Sequence, residues 1–286
     1  MKNFSKVFIV ILNYNGRDVI KKCLASVFRV DYPNFEVVVV DNNSQDGSFE
    51  MARSGFSKAI FIKNEENLGF SLGNNVGIIY ALDRAADWVF LLNNDAEVDK
   101  DFLGKLVDAA EKDVAIGISS PVIFEKDSGK IWFSGGKIKW FSMKAEHTCQ
   151  AKTEECFESE FVSGCAMLVK REVFQKIGLL DEDFFLYWED IDFSVRARRA
   201  GFKVMVVSSS WAYHWEKSEA FKKSKVYWLV ISGLIFSKKN APWWLRGWLY
   251  FYVKLRKLKN KIDLAYNRNE MAEVVSKAYR DFEKYI

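Results

Sequence analysis

The chain has 286 residues, of which 49% are hydrophobic and 28% charged, a composition typical of a globular protein with a sizeable core. Its four cysteines, Cys23, Cys149, Cys156 and Cys165, show no CxxC spacing, so we expect reduced thiols and no disulfide framework. The net charge is +4, but residues 220–262 carry eleven Lys or Arg and no acid, so the remaining chain is acidic. An acidic body argues against nucleic-acid binding.

The first half of the chain alternates between continuous apolar runs and segments with helical periodicity. The predicted strands cover residues 7–12, 36–41, 59–62 and 88–92, and the predicted helices cover 18–28, 69–84 and 101–112. This alternation predicts an α/β fold with a Rossmann-like, doubly wound and mainly parallel sheet. In such sheets a ligand lies beyond the carboxyl ends of the strands.

From about residue 116 the pattern changes to short strands interrupted by glycine and polar residues. Strands over 121–124, 131–133, 137–140 and 161–169 predict a small mixed or antiparallel extension, with Gly135-Gly136 as a hairpin turn and 147–159 as a mobile loop. A helix over 189–200, ended by Gly201, and a strand over 203–207 follow. We assign residues 1–218 to this domain.

Polar residues follow three of the apolar runs, namely Asn13-Tyr14-Asn15, Asp41-Asn42-Asn43-Ser44 and Asn93-Asn94-Asp95. Asp41 is suited to accept hydrogen bonds from a nucleobase or ribose, and its alternative role is an Asx turn or a cap for the helix near Ser48. Asn13 and Asn15 line the same pocket or satisfy the loop backbone. Such clustering at one sheet edge predicts a binding site.

Residues 67–75 form a glycine-containing segment that enters a helix, with Asn67, Gly69 and Asn74 as candidate contacts. Free amide groups at a helix N-terminus favour anionic phosphate. The spacing is not GxGxxG and no P-loop lysine follows, which weakens dinucleotide-binding and ATP-binding interpretations.

Asp95 stands where a diphosphate and its cation would lie in this fold. Mg²⁺ or Mn²⁺ takes one or two protein ligands and fills its remaining positions with phosphate and water oxygens, so a single Asp is sufficient. His214, after the last strand, is a candidate second metal ligand. A lone His is more often structural, and only its relation to Asp95 favours the metal role.

A second acidic cluster, Glu189-Asp190-Ile191-Asp192, opens the helix over 189–200. Asp192 and Arg196 are four residues apart and are predicted to pair on one helix face. Asp190 points elsewhere, and the neighbouring Tyr187 and Trp188 give it a partly apolar setting that raises its pKa and suits a general base. Glu189 caps the helix or touches an acceptor. Tyr187 and Trp188 are candidates for contact with an acceptor sugar.

Taken in order, residues 7–15, 37–48, 67–77, 91–98 and 163–201 resemble the inverting glycosyltransferases of GT-A fold often called family 2. The nearest members are rhamnosyl- and galactofuranosyltransferase-like. The resemblance implies a UDP- or dTDP-linked sugar donor, with Asp41 and Asn13–Asn15 around the nucleoside. It also implies Asp95 and His214 as metal ligands and Asp190 as the base. Asn93 replaces the first Asp of a full DXD motif, and the donor sugar is not identified.

The C-terminal region, 219–286, is basic and rich in aromatic residues. One helical face carries Trp244, Gly247, Trp248, Phe251, Tyr252, Leu255 and Leu258. Trp and Tyr combined with Lys and Arg are typical of a helix lying in a membrane interface. The alternative is packing against the catalytic domain or a second subunit, as in a homodimer. The last twenty residues predict a charged amphipathic helix.

The leading hypothesis is therefore a metal-dependent glycosyltransferase at the inner face of the cell membrane. It would build a glycolipid or surface polysaccharide, with a lipid-linked or polysaccharide acceptor. The sequence at its N-terminus lacks signal-peptide features, which favours a cytoplasmic location, and the longest charge-free run in the C-terminal region, 226–237, is shorter than a membrane span. Two other classes stay open: a non-catalytic nucleotide-sugar-binding or carbohydrate-binding protein, and a nucleotidyltransferase, although Asn13–Arg17 is a poor triphosphate loop.

Overall fold

The computed structural model describes residues 4–215, 223–267 and 270–285. Within these ranges the chain forms a ten-stranded mixed sheet, a separate two-stranded sheet and helices around them. The strands are β1 (Val7–Asn13), β2 (Phe35–Asp41), β3 (Ile60–Lys63), β4 (Trp88–Asn93), β5 (Ala96–Val98), β6 (Ile116–Glu125), β7 (Ile131–Phe133), β8 (Gly136–Lys139), β9 (Lys144–His147), β10 (Cys156–Glu158), β11 (Ala166–Lys170) and β12 (Lys203–His214). The helices are α1 (Ile20–Val27), α2 (Ser48–Gly55), α3 (Gly69–Leu82), α4 (Phe102–Glu111), α5 (Arg171–Ile177), α6 (Glu189–Arg199), α7 (Lys223–Asn240), α8 (Arg246–Asn267) and α9 (Glu270–Tyr285).

Eight strands of the large sheet follow the order β10-β12-β6-β11-β4-β1-β2-β3, while β5 pairs with β12 and β7 pairs with β6. The four strands at one end, β4, β1, β2 and β3, are mutually parallel, and β11 is inserted antiparallel between β4 and β6. β1 and β4 are buried over nearly their whole length, which is why their sequences are unbroken apolar runs. The predicted α/β fold, with a mainly parallel sheet and an antiparallel extension, is confirmed.

Helix α3 lies unusually close to the sheet because glycines face it. A Cβ at Gly77 would stand 2.4 Å from Val10 Cγ1, and a Cβ at Gly73 would stand 2.6 Å from Leu12 Cδ1. Glycine inside a helix costs about 1 kcal/mol relative to alanine. The close contact of α3 with β1 and β2 offsets that cost and brings the start of α3 to the carboxyl ends of these strands.

Two predictions for the middle of the chain are wrong. Gly135-Gly136 is not a hairpin turn, because it connects β7 of the large sheet to β8 of the small one, and the β8–β9 turn lies at 140–143. A Cβ at Gly136 would stand 2.2 Å from the Phe161 ring, so this glycine allows close packing. The segment 147–159 is not simply a loop, since His147 ends β9 and β10 pairs with β12.

Other element bounds also differ from the sequence prediction. The strand predicted over 161–169 starts only at Ala166, and β12 extends to His214 because a register shift lets it continue along β6. Helices α5 and α7 had not been predicted. The apolar residues of α7 run continuously over most of its length, so they give little helical periodicity to recognise.

The C-terminal helices do not stand apart from the sheet domain. Ile231, Leu234 and Phe236 of α7 and Phe282 of α9 belong to the same hydrophobic core as the sheet. The predicted domain boundary at residue 218 lies outside the described residues. Within the part of the chain that is described, no helix is both long and apolar enough to cross a membrane.

Helix α8 has one face on the protein and one face in solvent. Leu249 and Asn260 are buried, while the opposite face carries exposed apolar residues at alternating spacings of four and three. We call this face the outer stripe: Trp244, just before the helix, Trp248, Phe251, Leu255, Leu258 and Ile262. Tyr252, expected on the same face, is instead half-buried and donates to Ser142 O.

Candidate active site

The polar ends of β1, β2 and β4 meet at one edge of the sheet. Asn13 pairs in register with Asp41, and Leu12 with Asn93. Asn13 Nδ2 donates to Asp41 Oδ1 at 2.7 Å, and Asn94 Nδ2 donates to Asn13 Oδ1 at 2.8 Å. Three of the residues predicted at this edge, Asn13, Asp41 and Asn94, are therefore directly connected.

Asp41 is fully buried and does not face an open pocket. Its carboxylate accepts hydrogen bonds from Asn13 Nδ2, from the Ser44 hydroxyl at 2.6 Å and from the Ser44 N–H at 2.8 Å. A buried carboxylate without such donors would cost several kcal/mol. Asp41 therefore holds Asn13 and Ser44 in place, and its predicted contact with a nucleoside stays a prediction.

Ser44, in the polar run that follows β2, connects two segments of the site. Its hydroxyl accepts a hydrogen bond from the backbone N–H of Asn15 at 2.9 Å while donating to Asp41. Asn15 has a left-handed φ of 49° and, like Tyr14, is exposed. Asn15 Oδ1 accepts from the Gln45 N–H. Tyr14 is the predicted nucleoside contact of this group that is most open to a ligand.

The N-terminus of α3 is largely satisfied by protein groups. The Gly69 N–H donates to Asn67 Oδ1 at 2.9 Å, and the Phe70 N–H donates to Phe185 O at 2.6 Å. Asn74 is buried, and its Nδ2 donates to Phe70 O. Asn67, Gly69 and Asn74 thus shape this loop, and their predicted contact with a donor phosphate stays a prediction.

Gly69 is needed at the start of α3 for two reasons. Its φ is +76°, which non-glycine residues rarely adopt, and a Cβ there would lie 2.5 Å from Phe185 O. The segment that precedes α6 is thereby held against the start of α3.

Asp95 and His214 face each other where β4 and β12 end. His214 Nε2 lies 3.2 Å from Asp95 Oδ1, and the Trp215 N–H donates to Asp95 O at 2.9 Å. β12 reaches this position by pairing with β5, in which His214 is opposite Ala96. The two residues predicted as metal ligands are thus brought together by an antiparallel pairing.

The pair has the features of an incomplete metal site. Asp95 Oδ1 and His214 Nδ1 are buried and make no hydrogen bond to any residue in the described ranges. Groups of three or more His, Cys, Asp or Glu able to hold a metal are absent from those ranges. Two protein ligands with free positions fit a cation whose other ligands are phosphate and water oxygens.

Trp132, which the sequence analysis did not single out, positions the imidazole of His214. Its ring centroid lies 4.7 Å from that of His214 and also 4.7 Å from that of His147. Trp132 sits in a three-residue strand, a pattern too short to indicate a functional role. His147 is in contact with this aromatic group rather than in a loop.

Asp190 is held by main-chain donors at the start of α6. Its Oδ2 accepts from the Gly164 N–H and its Oδ1 from the Ile191 N–H, both at 2.8 Å. Burial raises the pKa of Asp190, and these hydrogen bonds oppose the rise. The expected upward shift is present, and its main cause is burial.

The segment around Gly164 connects the two acids. The Gly164 N–H donates to Asp190. The backbone O of the next residue, Cys165, accepts a hydrogen bond from the Asn93 N–H at 2.9 Å. Asn93 ends β4 two residues before Asp95. The start of β11 therefore joins Asp190 to the strand end that carries Asp95, a role that only the folded backbone reveals.

Glu189 is buried beside Asp190, and its Oε2 makes no hydrogen bond to a residue of the described chain. Burial, followed by the charges of Asp190 and Asp192, raises the pKa of Glu189 well above its usual range. The raised pKa favours the protonated form of Glu189 in the folded protein.

The predicted Asp192–Arg196 pair is confirmed, with Arg196 Nε donating to Asp192 Oδ2 at 2.7 Å.

Tyr187 and Trp188 immediately precede α6, and both have left-handed φ values, 67° and 71°. Such strain, of roughly 1–3 kcal/mol per residue, tends to cluster at functional sites. Trp188 is buried, packs on Phe236 and donates from Nε1 to Leu229 O at 3.2 Å. Tyr187 is only partly buried and is therefore the more accessible of the two candidate acceptor contacts, both of which stay predictions.

Comparison with known proteins agrees with this geometry. Residues 8–178 match the family model described as glycosyl transferase family 2. A low-salt glycan biosynthesis hexosyltransferase, Agl10, of Haloferax volcanii is 30% identical over 68% of this chain and 62% of its own length. An N-acetylglucosaminyl-diphospho-decaprenol L-rhamnosyltransferase of Mycobacterium tuberculosis is 25% identical over 72% of this chain and 75% of its own.

Two further similarities concern a bacterial relative and the fold. A dTDP-rhamnosyl transferase, RfbF, of Shigella flexneri is 25% identical over 71% of this chain and 67% of its own. The crystal structure of GalNAc-T7 with UDP, GalNAc and Mn²⁺ superposes with a TM-score of 0.69 at 20% identity, covering 99% of this chain and 55% of that one. At this identity the similarity concerns the fold alone.

Proposed function

Because the chain belongs to glycosyl transferase family 2, we propose that it transfers a sugar from a nucleotide-diphosphate donor to an acceptor hydroxyl with inversion. The observation that carries the proposal is the connection of Asp190 to the strand end bearing Asp95 through Gly164 and Cys165. A base and an acidic metal ligand held by one backbone segment are what a single displacement on a diphosphate-activated sugar requires. A non-catalytic binding protein would not need them, and no triphosphate loop supports a nucleotidyltransferase.

Asp190 carries out the proton transfer in this mechanism. Its carboxylate accepts the proton of the acceptor hydroxyl as the oxygen attacks the anomeric carbon from the face opposite the leaving diphosphate, which inverts the configuration. Its partly desolvated position makes it a stronger base than an exposed carboxylate. Asp95 and His214 would hold Mg²⁺ or Mn²⁺, which offsets the charge of the leaving diphosphate.

The relatives' names guide the donor and acceptor classes. One is named for dTDP-rhamnosyl transfer and another for a diphospho-decaprenol acceptor. We therefore propose a UDP- or dTDP-linked hexose or deoxyhexose, rhamnose first among them, and an acceptor that is lipid-linked or part of a growing polysaccharide. Tyr14 and Asn15 would contact the nucleoside, and Tyr187 the acceptor.

Donor turnover by the native protein tests this function. Hydrolysis and transfer would be measured across a panel of UDP- and dTDP-sugars, with Mn²⁺, with Mg²⁺ and with chelator. We expect turnover of a narrow donor set that requires the metal, with inverted anomeric configuration of the product by NMR. Binding without turnover, even with lipid-linked acceptors supplied, would leave a binding protein, and no binding to any nucleotide sugar would refute the proposal.

We also propose that residues 219–286 attach the protein peripherally to the inner face of the cell membrane. Phe251, Leu255 and Leu258 of the outer stripe are each exposed by 44–55%, and monomeric proteins rarely leave such a continuous apolar surface in water. Lys254, Lys259 and Lys261 lie beside the stripe at helical spacing. This combination favours a bilayer with anionic lipids over a second copy of the same cationic surface.

Vesicle binding tests the membrane proposal. The native protein is expected to sediment with phosphatidylglycerol vesicles more than with phosphatidylcholine vesicles, and less at high salt. The double variant Leu255→Gln with Leu258→Gln should weaken binding by roughly tenfold or more, since each buried leucine contributes about 1.5–3 kcal/mol. Val114→Gln, which changes an exposed apolar residue elsewhere, is the control. A different outcome would assign the stripe to a contact between subunits. In that case the double variant would sediment with vesicles as the native protein does, and light scattering would show a dimer for the native protein but not for the double variant.

A further inference from the structure

A cavity of about 270 Å³ lies where the three C-terminal helices meet the segment that precedes Asp190. Its apolar wall consists of Trp188, Leu229, Val230 and Leu234, with Val253 of α8 opposite. None of these residues has a part in the chemistry described above. The volume is slightly below the ~300–1,000 Å³ of most small-molecule sites.

The polar groups of the cavity are cationic or neutral. Lys144 and Arg256 line it, together with Tyr279, and its wall contains no Asp or Glu. Within the described ranges neither Lys144 nor Arg256 contacts a carboxylate, and the Tyr279 hydroxyl makes no hydrogen bond. Two unpaired cations and one free hydroxyl beside an apolar wall suit an anion that carries a hydrocarbon chain.

The cavity borders the outer stripe. Met143, also in its wall, directly follows the turn whose Phe141 O accepts a hydrogen bond from Trp248 Nε1 at 2.9 Å. The Phe141 ring lies 6.1 Å from Trp244 and 6.5 Å from Trp248, measured between centroids. A ligand too long for the cavity could thus continue onto an apolar surface instead of into water.

One residue of the cavity wall, Trp188, lies close in the chain to the proposed base. Trp188 forms part of the wall and is two residues from Asp190, and the strained backbone at Tyr187 and Trp188 lies between cavity and α6. Gly233 of α7 allows this arrangement, because a Cβ there would stand 3.2 Å from the Trp188 ring.

We propose that this cavity binds the phosphate group and the first part of the hydrocarbon chain of an anionic amphiphile, the lipid-linked acceptor of the transfer. Arg256 and Lys144 pair with the phosphate, Tyr279 donates to it, and the chain leaves along the outer stripe. The identification of this amphiphile as the acceptor rests on the proposed function, whereas the anion site does not.

Binding of n-decyl phosphate, at concentrations where it is monomeric, tests the site by isothermal titration calorimetry on the full chain. We expect saturable one-to-one binding that Arg256→Gln weakens by roughly tenfold or more, the scale of a charge-assisted hydrogen bond. Val230→Phe, which fills the apolar part and keeps both cations, should weaken it similarly. Lys238→Gln, an equal charge change at an exposed position of α7 outside the cavity, is the matched control and should bind as the native protein does.

Inorganic phosphate and dihexanoyl phosphatidylglycerol complete the experiment. Weak binding of both supports a site that requires a phosphate and a single long hydrocarbon chain together. Equal affinity for the phospholipid, with the same response to the two cavity variants, would overturn the acceptor assignment in favour of a membrane headgroup. No saturable binding of decyl phosphate, or equal binding by Arg256→Gln, Val230→Phe and the native protein, would refute the cavity itself.

Donor turnover by the same native preparation separates this inference from the proposed function. No turnover of any nucleotide sugar, combined with variant-sensitive decyl phosphate binding, would overturn the transfer and support the anion site alone. Turnover without decyl phosphate binding would support the transfer and overturn the site.

Discussion

The sheet edge and the outer stripe of α8 differ in the burial of their side chains and in whether the polar or charged groups have protein partners. At the sheet edge Asn13, Asp41 and Ser44 are buried, and their polar atoms are satisfied by one another. On α8 the apolar side chains are exposed, and within the described residues Lys259 forms no ion pair with a carboxylate.

This difference distinguishes two kinds of functional surface. A buried and internally satisfied network is preorganised, so a ligand meets side chains that already have the required orientation. An exposed apolar stripe with unpaired cations is satisfied only when an external partner covers it. We therefore expect substitutions at the sheet edge to alter chemistry, and those on α8 to alter location or acceptor use.

The largest effect is expected for Asp190→Asn, which tests the role of the buried site in the chemical step. Loss of the base should reduce transfer by roughly 10²–10⁴-fold. Donor affinity should be retained, because the side chain is held by Gly164 and Ile191 and not by groups near the nucleoside. The measurements are steady-state transfer and donor titration, with Asp113→Asn, an exposed remote carboxylate, as control. Transfer at the control level would remove Asp190 from the mechanism.

The pH profile of the native enzyme adds a sign to this prediction. A base acts in its ionised form, and burial raises the pKa of Asp190 above the ordinary 3.8. The rate should therefore fall as the pH falls through that raised value, at a higher pH than for an exposed aspartate. A transfer rate that falls only at or below the ordinary aspartate pKa would contradict the assignment of Asp190 as the base.

A smaller loss is expected for Asp95→Asn, which tests the metal half of the site. Neutralising one of two protein ligands should weaken Mn²⁺ affinity by roughly 10–100-fold, comparable to the loss of a supporting group in metal sites. Electron paramagnetic resonance of Mn²⁺ with bound nucleotide diphosphate measures this directly, without activity. Glu97→Gln, whose carboxylate instead pairs with Lys126 and Trp215, is the neighbouring control. Equal Mn²⁺ affinity in the native protein and in Asp95→Asn would argue against this site.

The smallest effect is expected for Glu189→Gln, and it concerns the stability of the folded protein. The native state keeps a proton on Glu189 that the unfolded chain releases above its ordinary carboxyl pKa. The free energy of unfolding should therefore fall as pH rises between the ordinary and the raised pKa, by up to ~1.4 kcal/mol per pH unit. Denaturant melts from pH 4 to 8 should show less of this decline in Glu189→Gln. Parallel curves would mean that Glu189 is ionised in the native state.

Much of the fold could be predicted because burial on both faces leaves an unmistakable pattern. β1, β2 and β4 read as unbroken apolar runs, and the alternation with helices indicated their parallel order. β10 could not be predicted, since its three residues, Cys156–Glu158, become a strand only by pairing with β12. Gly135-Gly136 was misleading for a similar reason, as glycine serves close packing against Phe161 as readily as it serves a turn.

The candidate site could be predicted in outline but not in its contacts. Asp95, Asp190 and His214 each stand at the boundary of an element, and such boundaries meet at the sheet edge. Their partners could not be found in the same way, because Gly164 acts through its backbone N–H and Trp132 acts from a separate strand. The hydrogen bonds that bury Asp41 between Asn13 and Ser44 could not be predicted either, because burial is not visible in the sequence.

The attachment of Asp190 to two main-chain N–H groups has a consequence for regioselectivity. Since both carboxylate oxygens are anchored, by Gly164 and Ile191, the group cannot turn to reach a different hydroxyl. Which hydroxyl of a sugar ring becomes the new linkage is then decided by the docking of the acceptor relative to a fixed base. With Asp190 as the proposed base, changes in acceptor-binding surfaces far from α6 should therefore create new linkages while this carboxylate stays in place.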